Sequence, residues 1–408
     1  MDLDFIRCTD PAVSGAWRMA FERLWCEKTK LFYDFLSEDT PDGAISHLPT
    51  PEMIARQVPN PCGWGTGMED SVLNGGVMLE ALITLYQKTG EASILPALHE
   101  VAEGLLACAQ VSGQEGFLAR SLSPADGVSH YSNSSRDQYT HWVYMCSLFL
   151  RSGLASEAER TAIIRALVSF ARKAEREIRD GRTEYLREDG RAGLVCQMWG
   201  DIQCHEFLRL PMIYLAAYAA GGDTHWRDRY REYREEAFRR SERIREPGGT
   251  DIFSWAYALL QMQYSLRLIY DLEEDAAYRD RAAALMGFVA DFAQRYTAAG
   301  VREADAPHKD ECQVWTKCPA AFYGFVGGYA YYVPQLDGQN LRSFAMRNAA
   351  EAVIIRALCP DGAIRPEQAA MFRHVLEKTD FSRAADYWPI LYCDAWALLL
   401  NAEGESEG

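Results

Sequence analysis

Apolar and polar residues follow one another along this chain in two kinds of helical segment. In the first kind, the apolar residues form one stripe and the other face is charged, as in residues 156–179, which open with a Ser-x-x-Glu capping box. In the second kind nearly every position is apolar, as in residues 211–220, 256–270 and 319–332. Such helices must be buried on most sides. Strand-like alternation between hairpin turns is scarce, so the pattern predicts an all-α fold.

The two kinds of segment alternate in six pairs, which predicts twelve helices. The amphipathic helices are predicted at residues 14–36, 91–110, 156–179, 223–244, 274–297 and 340–358, and the apolar helices at 70–88, 136–152, 203–221, 251–271, 318–333 and 386–400. This regular spacing is typical of a structural repeat. Six buried helices enclosed by six half-exposed ones form an (α/α)6 toroid, a six-hairpin barrel, expected as a single catalytic domain over residues 1–408. An α-solenoid is the structural alternative, although its repeats are commonly shorter, about 34 to 47 residues.

Loop lengths give the predicted barrel a direction. Turns from an apolar helix to the next amphipathic one are short, whereas most of the return connections are long: residues 37–69, 111–135, 180–200, 298–317 and 359–385. Long connections are often functional. They would gather at the end of the barrel formed by the N-termini of the inner helices, which we call the mouth. The unpaired amides of those helix ends also suit anionic ligands.

Acidic, aromatic and histidine side chains cluster where the apolar helices begin. Asp137 and His141, like Asp201 and His205, are four residues apart and therefore share one helix face. An Asp at a helix start is often only an N-cap. However, five of the six helices combine an acid near the start with a nearby Trp or His, and six of the ten tryptophans lie in these segments. The pattern therefore predicts a binding site at the mouth.

Aromatic rings beside carboxylates suit a carbohydrate, whose apolar faces stack on rings while its hydroxyls bond to acids and amides. Two carboxylates that flank a glycosidic bond can act as general acid and general base. Asp70 and Asp137 begin neighbouring inner helices and are the predicted catalytic pair, with His141 beside them. Arg136 and His130 are candidates for binding a substrate carboxylate, as is Lys309. The predicted substrate-binding residues are Trp64, Glu69, His130, Arg136, Tyr139, Trp199, Asp201, His205, Trp255 and Trp315.

Composition narrows the classes of partner. Forty-two basic and fifty-eight acidic residues give a formal charge of −16, which disfavours nucleic acid. No stretch is apolar enough to span a membrane and no signal peptide is evident, so we expect a cytoplasmic protein. The eleven cysteines form no C-x-x-C pair and are expected to be reduced thiols. Nucleotide-binding and zinc motifs are absent, so we expect no cofactor and no metal. The expected partner is a small carbohydrate. The sequence leaves open whether the chain forms a homo-oligomer.

At the level of motifs, the chain resembles the six-hairpin glycosidase-like proteins. The segments PNPCGWGTGMEDS (59–71) and SSRDQYTHW (134–142) are most similar to glycoside hydrolase family 154, and more distantly to families 88 and 105. The resemblance implies a glycosidase that acts on glucuronides or unsaturated uronyl oligosaccharides, with Asp70 and Asp137 at the positions of the aspartates that begin inner helices in families 88 and 105. The surrounding residues differ from families 88 and 105, which leaves open whether the sugar is unsaturated.

Three other classes remain alternatives. The N-acylglucosamine 2-epimerase group shares the barrel and uses paired histidines as acid and base, a role that would fall here to His141 and His205. A polysaccharide lyase would use Tyr139 and His141 to abstract a proton next to a uronate carboxylate. A non-enzymatic α-solenoid scaffold is the last. The linkage, the anomeric outcome and the assignment of acid and base are left open.

Overall fold

The computed structural model describes residues 3–36, 45–179, 181–253, 255–306, 320–326, 328–334, 338–384 and 386–405. Within these ranges the α-helices are α1 (Pro11–Met19), α2 (Pro51–Ala55), α3 (Ser71–Thr89), α4 (Ile94–Gln110), α5 (Arg136–Ser152), α6 (Glu157–Glu177), α7 (Arg209–Gly221), α8 (Thr224–Ser241), α9 (Tyr257–Leu272), α10 (Ala276–Asp305), α11 (Gly338–Ala357), α12 (Pro366–Lys378) and α13 (Trp388–Glu405). Short strands form three antiparallel pairs: β1 (Trp25–Cys26) with β2 (Leu31–Phe32), β3 (Glu184–Leu186) with β4 (Ala192–Gln197), and β5 (Ala320–Val326) with β6 (Tyr329–Pro334).

Six inner helices form a closed ring, which confirms the predicted toroid. The helices α3, α5, α7, α9, α11 and α13 each contact the next, and α13 contacts α3. The outer helices α1, α4, α6, α8, α10 and α12 pack outside this ring. Burial separates the two sets clearly: every residue from 71 to 85 of α3 is buried, whereas the highly charged α8 buries five residues, including Trp226, Tyr230 and Phe238. The chain therefore alternates outer and inner helices six times.

Local sequence explains the helix ends. Ser156 and Glu159 form the predicted capping box at the start of α6, each side chain bonding to the other's backbone N–H. Inner helices α3, α5 and α7 end at glycines with φ near +70°, a left-handed conformation that non-glycine residues rarely adopt. These caps allow the short turns to the outer helices. The described parts of the long connections lie at the opposite end, where the inner helices begin.

One inner helix was predicted in the wrong place. Residues 318–333 were expected to be helical, but the structure has the β5–β6 hairpin at 320–334. Periodicity cannot tell a short apolar run in a helix from one in a strand, and the sequence of this run is rich in strand-favouring aromatic residues. The inner helix is α11, which was predicted as an outer one. Helix α12 was predicted as loop.

The misassignment of α11 has a physical cause. Most of its side chains from 346 to 355 are buried, but the buried set includes Glu351, and Arg347 is only 19% exposed. Charged residues that face the barrel interior give the helix the pattern of a solvated outer face. Similarly, the predicted helix at 14–36 ends in a π-turn by Leu24, and the chain continues into the β1–β2 hairpin.

A polar column continues below the mouth along the barrel axis. Glu80 on α3 is 2% exposed and accepts a hydrogen bond from the Tyr144 hydroxyl at 3.0 Å. Asp394 on α13 is fully buried, and neither of its carboxylate oxygens has a partner among the described residues. Burial raises the pKa of Glu80 to about 7, and burial together with the charge of Glu80 raises the pKa of Asp394 well above its usual range. At neutral pH Asp394 is therefore protonated, and Glu80 is about half protonated.

We expect Glu80→Gln to stabilise the protein at alkaline pH only. The folded-state pKa of Glu80 lies above its unfolded value, so its stabilising effect is complete at low pH and is lost as the pH rises through about 7. Glutamine keeps the acceptor for Tyr144 and cannot ionise. The variant should gain up to about 3 kcal/mol at pH 8.5 relative to the wild type, and little at pH 5, measured by denaturant unfolding. The control is Glu103→Gln, which makes the same substitution at an exposed position of α4. An equal effect at both pH values would show that Glu80 is not ionised by pH 8.5.

Candidate active site

Arginine–carboxylate pairs surround the mouth. Each of four arginines has one nearest carboxylate, and in each of these pairs at least one member is almost fully buried or comes from the start of an inner helix. The pairs are Arg120 Nη2 with Asp70 Oδ1 (3.2 Å), Arg209 Nη1 with Asp137 Oδ1 (3.0 Å), Arg136 Nε with Glu206 Oε1 (2.5 Å) and Arg347 Nε with Glu351 Oε1 (2.8 Å). Opposite charges therefore balance within these four pairs.

Asp70 is the N-terminal flanking residue of α3, but its side chain does not cap the helix. Its Oδ1 accepts hydrogen bonds from Arg120 Nη2 at 3.2 Å and from Gln138 Nε2 at 2.9 Å. The side chain of Gln138 also accepts a bond from the Leu73 amide at 3.2 Å, which ties the start of α5 to that of α3. The carboxylate of Asp70 is 27% exposed, so one edge of it remains open to the mouth.

Asp137 lies in the first turn of α5, where Ser135 provides the cap by accepting a bond from the Gln138 amide. Gln138 does not complete a reciprocal capping box with Ser135, because its side chain is bound to Asp70. Burial raises the pKa of Asp137, but the charges of Arg209 and Arg136 outweigh it and hold this pKa below its usual value. Asp137 is consequently ionised at neutral pH. It can accept a proton or stabilise a cation, but it is unsuited to be a general acid.

Glu69 is the carboxyl group of the mouth that is half protonated near neutral pH. Burial and the neighbouring charge of Asp70 raise its pKa to about 7. Behind it lies Asp34, a buried residue that sequence reasoning missed. Its carboxylate accepts bonds from the backbone amides of Glu69 (2.6 Å) and Asp70 (3.0 Å) and from Asn74 Nδ2 (3.1 Å). Asp34 thereby holds the turn that positions both acids.

His141 lies one turn after Asp137 on α5 and is 2% exposed. Its Nδ1 is 3.0 Å from the backbone carbonyl of Asp137, so Nδ1 carries the hydrogen and Nε2 is left as the basic nitrogen. Among the described residues Nε2 has no hydrogen-bond partner. Burial lowers the pKa of His141 to about 4, so the imidazole is neutral at physiological pH. The ring is held edge-on to Tyr264 at 5.1 Å.

His205 lies in the short 3-10 turn, Cys204–Glu206, that precedes α7. It is 5% exposed, and its Nδ1 has no hydrogen-bond partner in the part of the chain that is described. Burial lowers its pKa well below the usual value, and the charges of Arg209 and Arg136 lower it further. Asp137 and Arg209 act electrostatically on both histidines. Two neutral histidines therefore share the surroundings of one ion pair.

Aromatic rings complete the mouth on the side of α9 and α13. The guanidinium of Arg347 lies 5.5 Å from the ring centre of Tyr257 and 5.0 Å from that of Tyr387. Tyr257 is 38% exposed and Trp255, just before it, 37%. The terminal nitrogens of Arg347 make no hydrogen bond with the described residues. Arg347 was missed in the sequence because α11 was predicted as an outer helix.

Two predicted substrate-binding residues have other roles. Tyr139 is fully buried, donates its hydroxyl hydrogen to the Gly116 carbonyl at 2.8 Å and packs against Phe170 and Tyr185. It faces the outer helices, which removes it as the proton-abstracting residue of a lyase. His130 has both ring nitrogens bound, one to the Val128 carbonyl and one to Glu188.

Two more predicted residues lie outside the cluster. Trp199 packs edge-on against Phe207 and against Tyr233 of α8. Asp201 is exposed in an open groove of about 370 Å³ whose other wall is formed by the arginines at the end of α8. Both face outward because the chain turns inward only at His205.

Trp64, Trp315 and Lys309 are the last of the predicted site residues. Trp64 is 9% exposed and lies next to Gly65, whose amide donates a hydrogen bond to Glu69. Trp315 and Lys309 lie outside the described residues.

Within the described ranges no three His, Cys, Asp or Glu side chains are grouped to hold a metal ion, and no helix combines the length and apolar character needed to cross a membrane.

Comparisons with known proteins find similar solved structures but no matching family model. No protein-family model matches the chain, and no curated protein matches it. Among solved structures, the chain is similar to a sugar epimerase from a ruminal bacterium, with 11% identity over 90% of this chain and 85% of that one and a TM-score of 0.46. It is also similar to a D-mannose isomerase, with 10% identity over 98% of both chains and a TM-score of 0.45. Membership of glycoside hydrolase family 154, 88 or 105 stays a prediction.

Proposed function

We propose that the mouth catalyses proton transfer at the carbon next to the carbonyl group of a sugar, as a sugar epimerase or aldose–ketose isomerase. The observation that carries the proposal is His141, a buried neutral imidazole whose Nδ1 is bound to the Asp137 carbonyl and whose Nε2 has no hydrogen-bond partner among the described residues. Such a nitrogen is a general base that is ready at neutral pH. His205, neutral and near the same ion pair, supplies the second acid–base group.

The surrounding charges fit this chemistry. When His141 removes a proton from carbon it becomes an imidazolium, which the ionised Asp137 stabilises. The electron pair moves onto the carbonyl oxygen and forms an enediolate. The terminal nitrogens of Arg347, which have no hydrogen-bond partner among the described residues, would donate to that oxygen, whereas Arg209 is 1% exposed and paired with Asp137. The His141 imidazolium then returns the proton to the neighbouring carbon, which completes an isomerisation. An epimerisation, in which the proton arrives on the other face, requires His205 to have taken up a proton from solvent first.

A glycosidase acting on uronic-acid oligosaccharides is the second candidate, and Glu69 favours it. Hydrolysis needs one protonated and one ionised carboxyl group. In the predicted pair of Asp70 and Asp137, Asp137 is held ionised and is therefore unsuited to be the acid. Glu69, with a pKa of about 7 beside Asp70, would have to be the acid.

Deuterium exchange separates the two candidates. The protein is incubated in D₂O with glucose, mannose, fructose, N-acetylglucosamine and glucuronate, and separately with aryl glucuronides. Proton NMR should show deuterium at the carbon next to the carbonyl, together with the epimer or ketose, for at least one free sugar. The His141→Asn variant is the matched control. Release of the aryl group without any carbon-bound deuterium would overturn the proposal in favour of the glycosidase.

A further inference from the structure

His130 joins two loops of the mouth. It lies in the connection between α4 and α5, and its side chain is 12% exposed. Its Nδ1 is 2.8 Å from the Val128 carbonyl oxygen, and its Nε2 is 3.0 Å from Oε2 of Glu188, in the turn between β3 and β4. The other oxygen of Glu188 accepts a hydrogen bond from the Ser112 hydroxyl. One carboxylate thus holds both ends of the α4–α5 connection.

The two partners of His130 determine its protonation. A carbonyl oxygen and a carboxylate oxygen can only accept, so each ring nitrogen must carry a hydrogen for both bonds to exist. This state is the imidazolium. A neutral imidazole can donate from one nitrogen only, so loss of the proton must break one of the two bonds.

The segment after His130 leads directly to Asp137. The Ser132 carbonyl accepts a bond from the Glu188 amide at 2.8 Å, and the Asn133 side chain bonds to both backbone groups of Leu194 on β4 at 2.8 and 3.0 Å. Ser135 then caps α5. The position of the first turn of α5 therefore depends on how firmly this segment is attached to the β3–β4 hairpin.

We infer that His130 is a positioning residue that acts as a proton-dependent latch: as imidazolium it fastens the α4–α5 connection to the β3–β4 hairpin, and on deprotonation it releases one of these attachments. The inference does not depend on which reaction the mouth catalyses. It replaces the predicted role of His130 in binding a substrate carboxylate.

The charges around the latch favour its closed state. Glu188 across the loops and Asp126 on the same loop face the ring, while the nearby Arg187 is engaged by Asp189 at 2.6 Å. Burial lowers the pKa of His130, but the bonds to Glu188 and Val128 outweigh it and raise this pKa above 6.5. The stabilisation by the latch is therefore complete below pH 6.5 and is lost as the pH rises through the folded-state pKa.

Long-range ¹H–¹⁵N NMR of ¹⁵N-histidine-labelled protein tests the protonation directly. The signals of His130 are assigned by their absence from His130→Gln. Both ring nitrogens should show imidazolium shifts at pH 6.5 and should titrate at higher pH. A neutral tautomer at pH 6.5 would overturn the latch, whatever the variant does.

Hydrogen exchange tests the positioning role. At pH 6.5, His130→Gln should speed amide exchange in peptides from residues 111–135 and 187–195 by about 3- to 10-fold, the usual net effect of losing one hydrogen bond. In the wild type these peptides should lose protection between pH 6 and 9 after correction for the intrinsic rate, and in the variant they should not. The control is His225→Gln, which removes another histidine–glutamate contact, to Glu175 at 2.9 Å, on the outer helices. Equal exchange in wild type and variant would overturn the proposal.

Discussion

Replacing His141 by asparagine is expected to lower turnover by about 10²- to 10⁴-fold, the usual contribution of a general base. Asparagine can still donate from the position of Nδ1 to the Asp137 carbonyl, 3.0 Å away in the wild type, but it has no group at the position of Nε2. The variant therefore removes the base and keeps the contact that holds the helix turn. The melting temperature should change by a few degrees at most.

The pH profile of the wild type gives an independent check on the same residue. Since burial lowers the pKa of His141 to about 4, the base is already neutral at pH 5.5 and stays so at higher pH. The limb of the rate profile that reports this group should therefore fall only below about pH 5. The unfolded histidine binds a proton near pH 6.5, so the folded protein should also lose stability as the pH drops from 6.5 toward 4.

A control variant separates catalysis from general damage. His99 on α4 is another helix histidine with a bonded Nδ1, which lies 2.9 Å from the carboxylate of Glu159 outside the mouth. His99→Asn should leave turnover unchanged. If His141→Asn kept more than a tenth of the wild-type rate on a substrate identified by deuterium exchange, His141 would not be the base.

The fold could be predicted largely because burial determines which positions of a helix are apolar. Helices α3, α5 and α13 begin within two residues of their predicted starts, since an inner helix is apolar all round and its outer neighbour is not. The exception is instructive. Arg347 and Glu351 pair with each other on the inner face of α11, at 2.8 Å, and a pattern of apolar and polar positions cannot tell inward charges from solvated ones.

The site could be predicted only in part, because the pattern of residues does not show in which direction each side chain points. Asp70, Asp137, His141 and His205 were named from the starts of the inner helices, and the structure brings them to the mouth. Tyr139 stands between Asp137 and His141 in sequence, yet it points outward because adjacent residues on a helix lie about 100° apart. Nothing in the sequence near Asp34 indicates its role, because its partners Glu69 and Asn74 lie at least 35 residues away.

Arginine 209 is the residue whose loss we expect to damage the protein most. It is 1% exposed, and its guanidinium lies 3.0 Å from Asp137 and 3.6 Å from Glu206, with a further hydrogen bond to Gln261. Arg209→Met would leave Asp137 without its main counter-charge and would leave Glu206 with Arg136 alone. Breaking one side of a buried ion pair typically costs about 3–5 kcal/mol, which should appear as a large fall in the midpoint of denaturant unfolding.

A double variant shows whether this cost comes from the uncompensated charge or from lost packing. Methionine keeps much of the side-chain volume, so most of the loss should be electrostatic. Removing the charge of Asp137 as well, in Arg209→Met with Asp137→Asn, should then recover part of the stability lost in Arg209→Met alone. The exposed Arg160→Met on α6 controls for the loss of an arginine elsewhere. Strictly additive losses in the double variant would mean that Arg209 stabilises the mouth through packing, and that the ionised state of Asp137 depends on other groups.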